Sequence, residues 1–326
     1  MMVGFAAFLI TLVLTGLTGW HARHRGLLDL PDERSSHRTA VPSGGGLGMI
    51  LAWFFVTLLL LLDRSPAIWL FALLPGLLLL AVVGWMDDHK PISARFRFLV
   101  QLAVSICVLA FAWHQGVTGS VIWLAVTAFW LLSIANFYNF MDGSHGMAGM
   151  QGLFSGLVLA WLFQRTGSDG MAMVSFMVAA SCAGFLPWNL RQKRIFMGDV
   201  GSVPLGFVLA ALCAYGVAMG NFSPWLAVLV LVVFLVDASL TLLWRVLRGE
   251  RWYTPHRQHL YQQLITRGCS HQSVLALYTM INICLVLPAA VVSVRNPGIA
   301  WLVSSVLIAT MVVGWTLSIR RLGATA

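Results

Sequence analysis

The amino-acid sequence predicts an all-α, polytopic membrane helix bundle. Of its 326 residues, 59% are hydrophobic and only 10% are charged, whereas a soluble domain carries about 25% charged residues. Apolar runs of about 20 residues, the length that spans a bilayer as a helix, recur along the whole chain. We therefore expect one integral membrane domain, residues 1–326, embedded in the lipid bilayer.

The apolar runs define eleven expected transmembrane helices. They lie at 3–20, 47–63, 67–86, 98–114, 119–138, 147–164, 170–188, 203–219, 222–244, 273–293 and 298–318. The loops between them are too short to fold as separate domains. Those expected on the cytoplasmic side are residues 21–46, 86–97, 139–147, 188–202 and 245–272.

Basic residues are distributed unequally between the two sides of these spans. Seventeen of the 20 Lys and Arg residues fall in loops after odd-numbered spans or in the C-terminal tail. Because positively charged loops stay in the cytoplasm, the N-terminus is predicted outside and the C-terminus in the cytoplasm. The formal net charge of +9 therefore reflects topology, and we expect no nucleic-acid partner.

Acidic and histidine side chains also collect on the predicted cytoplasmic side, with little besides Asp63, His114 and Asp169 on the other side. A secondary transporter of an organic anion, the main alternative, needs polar groups near mid-membrane and access from both faces. A structural scaffold leaves the one-sided acids unexplained. The distribution favours an enzyme that works at the inner leaflet.

Asp237 is the one acidic residue inside an expected span that hints at a transporter. A carboxylate within the membrane is costly and usually functional. The alternative is a hydrogen bond within the bundle to Thr241 or Ser239.

The stretch "GWMDDHKPISARFR" places Asp87 and Asp88 at the end of the third span. A helix C-terminus already carries partial negative charge, so two carboxylates there need a positive partner. That partner is either Lys90, Arg95 or Arg97, or a divalent cation. Magnesium typically binds one or two carboxylates together with water and substrate phosphates.

The stretch "NFYNFMDGSHGM" aligns Asn136, Asn139 and Asp142 at i, i+3 and i+6, on one stripe of a helix. Gly143 and Gly146 are expected to end that helix. A lone asparagine at such a place is usually a cap, but three polar groups on one stripe indicate a site that orients a metal-bound diphosphate and a sugar.

The stretch "IFMGDVGSVPLG" is typical of a glycine turn that leads into a helix. We expect Ser202 to cap the eighth span, with Pro204 in its first turn. Such a helix start also attracts anions. Because Asp199 would repel a phosphate there unless a cation lay between them, the turn also indicates a metal.

The stretch "PHRQHLYQQL" predicts a short cytoplasmic helix that begins at Pro255 and carries His256 and His259 on one face. HxxH alone is weak support for zinc. Phosphate binding by His256, Arg257 and His259 is the favoured function, and a solvated amphipathic helix is the alternative.

The stretch "DLPDERSSHRTAVPSGGGLGM" contributes Arg34 and His37 to the same side of the membrane. Its glycine run, Gly44–Gly46, provides either flexibility or close access of the backbone to a ligand.

With these motifs in this order, the chain resembles the polyprenyl-phosphate N-acetylhexosamine-1-phosphate transferases. The resemblance covers residues 29–264 and implies ten or eleven transmembrane helices in a bacterial cytoplasmic (inner) membrane. It implies that undecaprenyl phosphate attacks the β-phosphate of a UDP-N-acetylhexosamine, that Mg²⁺ or Mn²⁺ is required, and that UMP is released. A homodimer is one assembly to consider.

Roles for individual residues follow from the motifs above together with the resemblance. Asp87 and Asp88 match the paired acids, with Asp87 expected as base or orienter of the lipid phosphate, and Asp199 together with Asp87 is expected to hold the metal. The groups expected to bind the nucleotide sugar are Asn136, Asn139, Asp142, His256, Arg257 and His259. Those expected to bind the lipid phosphate or the diphosphate are Arg34, His37, Lys90 and Arg95.

Two positions depart from the family pattern. The usual DGxDGLA is "DGSHGMA" here, so the second aspartate is replaced by His145. The histidine motif is HxxH, which argues against a MurNAc-pentapeptide donor. We expect the branch that starts O-antigen or related surface glycans with N-acetylfucosamine, N-acetylquinovosamine or N-acetylglucosamine.

Overall fold

The computed structural model describes residues 2–26, 28–29, 41–62, 68–117, 120–190, 195–251, 254 and 256–324. This part of the chain is almost entirely helical. The helices are α1 (Met2–Arg25), α2 (Leu47–Leu62), α3 (Ile68–His89), α4 (Ala94–His114), α5 (Val121–Phe140), α6 (Met147–Arg165), α7 (Asp169–Asn189), α8 (Asp199–Ala218), α9 (Pro224–Leu247), α10 (Leu260–Thr266), α11 (His271–Arg295) and α12 (Ala300–Ala324). Two short strands, β1 (Leu28–Asp29) and β2 (Val41–Pro42), pair antiparallel.

The helices confirm the predicted all-α, polytopic membrane class. Among the described residues, nine helices are long and apolar enough to cross a membrane, and Leu47–Leu60 forms a shorter apolar helix. Each of the eleven apolar runs overlaps a helix of the structure. Helix α11 contains a π-helical turn at Asn282–Val286.

Several helices extend beyond the predicted spans into the predicted cytoplasmic loops. Helix α3 continues to His89, and α4 already begins at Ala94, where Ser93 accepts a hydrogen bond from the Phe96 amide at 3.3 Å. The connection between them is therefore shorter than the predicted loop 86–97. Hydropathy locates the apolar middle of a helix, whereas polar end residues remain helical through backbone hydrogen bonds and caps.

Helix α8 lies at the centre of the bundle and packs against α3, α5 and α6. Most of its side chains are buried, among them Leu205, Phe207 and Leu209. Outer helices expose large apolar side chains instead, as at Phe5 of α1 and Leu99 of α4. An apolar periphery around a packed centre is what a bilayer-embedded bundle requires.

Glycines allow close backbone contacts at the end of the bundle where α3 finishes and α8 begins. A Cβ on Gly84 of α3 would lie 2.5 Å from the carbonyl carbon of Asp199. A Cβ on Gly201 of α8 would lie 2.6 Å from the Cα of Gly46. Larger residues at these positions would push the segments around Asp199 apart.

We expect Gly201→Ala to destabilise the protein by about 1–3 kcal/mol, because the added methyl group meets backbone that cannot rotate away. Thermal unfolding in detergent measures the effect. Gly314→Ala on α12 is the matched control, since a Cβ there has open space around it and alanine favours the helix. Equal melting temperatures for the two variants would contradict the close contact of Gly201 with Gly46.

Candidate active site

Asp88, at the end of α3, binds the start of α8. Its Oδ1 accepts the amide of Asp199 at 2.9 Å, and its Oδ2 accepts the amide of Val200 at 3.2 Å. The carboxylate thus satisfies two of the free amides at the N-terminus of α8. The expectation that Ser202 caps this helix was wrong: α8 begins at Asp199, four residues before the predicted start at residue 203, and Asp88 binds its first amides.

Asp199 is held by side chains from two further helices. Its Oδ1 accepts a hydrogen bond from Asn139 Nδ2 of α5 at 2.6 Å, and its Oδ2 accepts one from Arg97 Nη1 of α4 at 3.1 Å. Asn139 Nδ2 also donates to Ser202 Oγ at 3.0 Å. The structure therefore brings Asn139 and Asp199, which lie far apart in sequence, into direct contact.

Arg97 connects Asp199 to Asp87. The same Nη1 donates to Asp87 Oδ2, and Asp87 Oδ1 accepts the amide of Ile92 at 2.6 Å. The sequence suggested Arg97 only as a possible ion-pair partner, and Arg97 was absent from the predicted site residues. Its polar stripe with Gln101 at i+4 and Ser105 at i+8, on an otherwise apolar helix, is the signal that would have found it.

Asp142 lies just beyond α5, in the turn between α5 and α6. Burial raises the pKa of its carboxyl well above the ordinary value, and the charges of Asp199 and Asp88 raise it further, against a hydrogen bond with the Gly198 backbone. These influences show that Asp142 lies near the other carboxylates. In the described part of the chain, four carboxylates thus lie near one another, and Arg97 contacts two of them, Asp87 and Asp199.

This set of side chains fits a divalent cation. Among the described residues there is no group of three or more His, Cys, Asp or Glu arranged to hold a metal. Asp87 and Asp199, however, both accept hydrogen bonds from the same nitrogen of Arg97. The positively charged guanidinium of Arg97 therefore lies between these two carboxylates. Two carboxylates plus water and substrate phosphate oxygens are sufficient for Mg²⁺, and Asp87 and Asp199 would supply the protein ligands.

Asn136 lies one helical turn deeper than Asn139. Its Nδ2 donates to Gln101 Oε1 of α4 at 2.6 Å and to the Leu132 carbonyl at 2.7 Å. The structure therefore places Asn136 beneath the carboxylate cluster, in contact with Gln101, rather than in it.

The histidine motif differs from the predicted helix. Helix α10 begins at Leu260 rather than Pro255, because the carboxylate of Asp237 accepts the amides of Leu260 and Tyr261. His256 therefore precedes the helix, and His259 occupies its N-cap. The two rings still lie 4.8 Å apart. His259 is buried and stacks with Phe140 and with Tyr261, with a centroid distance of 6.0 Å in each pair.

His256 is uncharged at neutral pH in this arrangement. Burial lowers the pKa of its imidazole to about 4, and the nearby His259 and Arg245 contribute to the decrease. The pKa of His259 is also lowered, mainly by burial. Both shifts disfavour the charged form of the imidazoles, and Arg257 is a half-buried cationic side chain in the same segment.

The remaining predicted site residues are less closely engaged. Lys90 and Arg95 are exposed at the same end of the bundle, and Arg34 and His37 lie outside the described residues. His145 is buried and stacks on Phe196 with centroids 5.3 Å apart. It also meets the edge of His271 at 4.9 Å.

The glycine run packs against the site turn rather than facing open space. The amides of Gly45 and Gly46 donate to the carbonyls of Phe196 and Met197 at 2.8 and 2.9 Å. The Phe196 amide donates in turn to the Pro42 carbonyl at 2.8 Å. These bonds fix the turn before Asp199, so the run contributes close packing and not flexibility.

Comparison with known proteins identifies the family. The profile for glycosyl transferase family 4 matches residues 69–217. The chain is 31% identical to a decaprenyl-phosphate N-acetylglucosaminephosphotransferase of Mycobacterium tuberculosis, over 86% of this chain and 80% of that protein. It is 28% identical to a probable undecaprenyl-phosphate N-acetylglucosaminyl 1-phosphate transferase of Bacillus subtilis, over 85% and 80%.

A third relative, an undecaprenyl-phosphate alpha-N-acetylglucosaminyl 1-phosphate transferase of Yersinia pestis, is 27% identical over 78% of this chain and 74% of that protein. The similarity thus extends over most of both chains in each case. The chain belongs to glycosyl transferase family 4, as a membrane enzyme of the polyprenyl-phosphate hexosamine-1-phosphate transferase type.

Proposed function

We propose that the protein transfers an N-acetylhexosamine-1-phosphate from its UDP derivative to undecaprenyl phosphate. The products are undecaprenyl-diphospho-N-acetylhexosamine and UMP. The observation that carries this proposal is Asp199, which Asp88, Asn139 and Arg97 hold from three other helices at one end of the bundle. The relatives' names supply the class of acceptor and sugar.

In the proposed reaction an oxygen of the lipid phosphate attacks the β-phosphorus of the nucleotide sugar. A new P–O bond forms to the lipid phosphate, and the bond from the β-phosphorus to the oxygen bridging the α-phosphate breaks. UMP leaves with the electrons of that bond. Transfer of this kind depends on positioning and on neutralising charge more than on covalent help from the protein.

The two paired acids have different roles in this proposal. Both oxygens of Asp88 accept amides of α8, so Asp88 positions Asp199. Asp87 accepts a hydrogen bond from the Arg97 guanidinium and is half-buried. This position suits a group that orients the incoming lipid phosphate. Asn139 and Asp142 border the same space and are assigned to the nucleotide sugar.

A bound Mg²⁺ would neutralise phosphate charge as the diphosphate bond breaks. Asp87 and Asp199 are the residues assigned to hold it, with Mn²⁺ as a substitute. Arg97 supplies positive charge to the same two carboxylates, and its guanidinium is the protein's own donor for a phosphate oxygen there. His256, Arg257 and His259 contribute donors from the side of α10.

The site is assigned to the cytoplasmic face of a bacterial inner membrane. The ends of α3 and α5 and the starts of α4, α8 and α10 meet there. The sequence has seventeen of its 20 Lys and Arg residues in loops predicted on that side. Such a charge distribution supports eleven spans with the N-terminus outside. Both UDP-sugars and the phosphate of a membrane-bound lipid would reach a site at this boundary.

We assign the product to O-antigen or a related surface glycan, with the sugar among N-acetylglucosamine, N-acetylfucosamine and N-acetylquinovosamine. The HxxH motif supports this choice over a MurNAc-pentapeptide. Since three relatives are named for N-acetylglucosamine, UDP-N-acetylglucosamine is the first donor to test.

The test is release of UMP by detergent-solubilised protein. We expect UMP only when undecaprenyl phosphate, Mg²⁺ and one UDP-N-acetylhexosamine from the panel are all present, with an equal amount of lipid-linked sugar. EDTA should abolish release. No UMP with any donor, together with donor uptake by liposomes containing the protein, would instead identify a transporter.

A further inference from the structure

Asp237 is a buried carboxylate in the middle of a membrane helix, outside the carboxylate cluster described above. It lies on α9 with 2% of its surface exposed. An isolated carboxylate in so apolar a setting is strongly unfavourable unless it is fully hydrogen-bonded. The reason for keeping it must lie in what it binds.

Asp237 accepts hydrogen bonds from four helices. Its Oδ1 accepts the Leu260 amide at 2.8 Å, Trp315 Nε1 at 3.2 Å and Thr241 Oγ1 at 3.3 Å. Its Oδ2 accepts the Tyr278 hydroxyl at 2.6 Å and the Tyr261 amide at 3.3 Å. The carboxylate therefore ties α10, α11 and α12 to α9, and the predicted bond to Thr241 is one of five.

Two of these five donors are the first amides of α10. A carboxylate at a helix N-terminus satisfies amides that have no partner within the helix and fits the positive end of its dipole. Because α10 spans only Leu260–Thr266, it is too short to be stable without such support. Asp237 thus determines where α10 begins.

The start of α10 carries groups that border the candidate site. Tyr261 donates its hydroxyl to the carbonyl of Phe140, the last residue of α5, at 2.9 Å. The same hydroxyl occupies the place that a Cβ on Gly143 would need. His259, immediately before α10, stacks on Phe140. Moving the start of α10 would therefore move both the histidine motif and the turn that contains Asp142.

We propose that Asp237 is a positioning residue for the nucleotide sugar: by anchoring the start of α10 it sets His256, His259 and the Asp142 turn at their working separation, without touching substrate. This inference rests on the proposed transferase function. A positioning role accounts for the location of Asp237, which is buried and contacts the candidate site through the short helix α10.

The test uses Asp237→Asn in the full-length protein. The asparagine side chain has the same size, but an NH₂ donor replaces one of the two acceptor oxygens. That donor cannot accept a hydrogen bond from a backbone amide of α10. We expect KM for the UDP-sugar to rise about tenfold or more, because small displacements of binding groups are costly, while KM for undecaprenyl phosphate is unchanged. A purely structural role would lower the amount of active protein and leave both KM values unchanged.

Ser155→Ala is the matched control. Ser155 is buried and donates to the Val230 carbonyl of α9 at 3.0 Å, so the variant also removes a buried hydrogen bond of α9, but one that does not lead to α10. We expect its KM values to equal those of the unaltered protein. A similar rise in KM for Ser155→Ala would overturn the specific role of Asp237.

Hydrogen exchange of residues 258–266 gives a readout that does not depend on activity. The amides at the start of α10 should exchange at least about tenfold faster in Asp237→Asn than in Ser155→Ala, because they lose their acceptor. Should Asp237→Asn not fold, Tyr278→Phe, which removes one donor to Oδ2, should show smaller changes in the same direction. Unchanged exchange and unchanged KM would overturn the proposal.

These measurements separate failure of this inference from failure of the proposed function. If the unaltered protein releases no UMP, the transferase function is wrong, and faster exchange in Asp237→Asn would still show that Asp237 anchors α10. If the unaltered protein is active and Asp237→Asn retains both KM values, the positioning role is wrong and the function stands.

Discussion

Asp199→Asn is expected to reduce the rate of UMP release by at least about 10³-fold. Losing one group that stabilises developing transition-state charge costs up to about 10³ in rate. Asp199 contributes to that stabilisation through the metal it is assigned to hold, so its loss also weakens the binding of that metal. The asparagine retains the size of the side chain and one acceptor oxygen for Asn139. The rate should be measured with saturating donor, lipid phosphate and Mg²⁺, so that a raised KM is not mistaken for a lower kcat.

Asp169→Asn is the control for this change. Asp169 is likewise the first residue of a membrane helix, α7, but at the other end of the bundle. We expect its activity to equal that of the unaltered protein, and both variants should unfold at similar temperatures because the amides of α8 keep Asp88 as their acceptor. Turnover of Asp199→Asn within tenfold of the unaltered protein would exclude its role in the reaction.

The helical bundle could be predicted from sequence because each span carries its own signal. A run such as 203–219 is apolar whatever surrounds it, and bilayer thickness fixes the length it must have. The ends of the helices carry no comparable signal. The start of α8 at Asp199 depends on Asp88, which is 111 residues earlier in the chain, and no local pattern contains that bond.

The sequence analysis named the acidic residues of the candidate site, but it named the basic residues and the residues that position the acids less completely. Asp87, Asp88, Asn139, Asp142 and Asp199 stand in short motifs with unusual spacing for an apolar chain, so each could be selected by its neighbours in sequence. The structure alone shows which side chains the acids contact.

The sequence analysis could not predict the contacts of residues whose hydrogen-bond partners lie far away in the sequence. Arg97 is one of three Lys and Arg residues in the predicted loop 86–97, and only the structure distinguishes it from Arg95 by its contacts with Asp87 and Asp199. Asp237 was recognised as unusual, but its five donors come mostly from residues that follow it by 23 or more positions. Tertiary packing creates both arrangements.

Arg97→Met is expected to lower the rate of transfer about 10²-fold and, at the same time, to strengthen the binding of Mg²⁺. The guanidinium contacts Asp87 and Asp199 and would compete with the proposed metal for the same two carboxylates. Removing a positive charge within hydrogen-bond distance of two acids increases their attraction for another cation. The rate should fall because the proposed hydrogen bond from the arginine to a phosphate oxygen would be lost.

Magnesium binding should be measured without substrates, from the rise in melting temperature as the metal is added, since a ligand that binds only the folded protein stabilises it. Arg97→Lys keeps the charge, so its rate should fall less and its Mg²⁺ affinity should match that of the unaltered protein. Arg165→Met, which removes an arginine stacked on Trp161 at the other end of the bundle, should change neither quantity. A purely structural Arg97 would weaken metal binding and transfer together, because disordering the acids it holds harms both. The opposite signs expected for the two quantities therefore identify Arg97 as a cation that shares Asp87 and Asp199 with the metal.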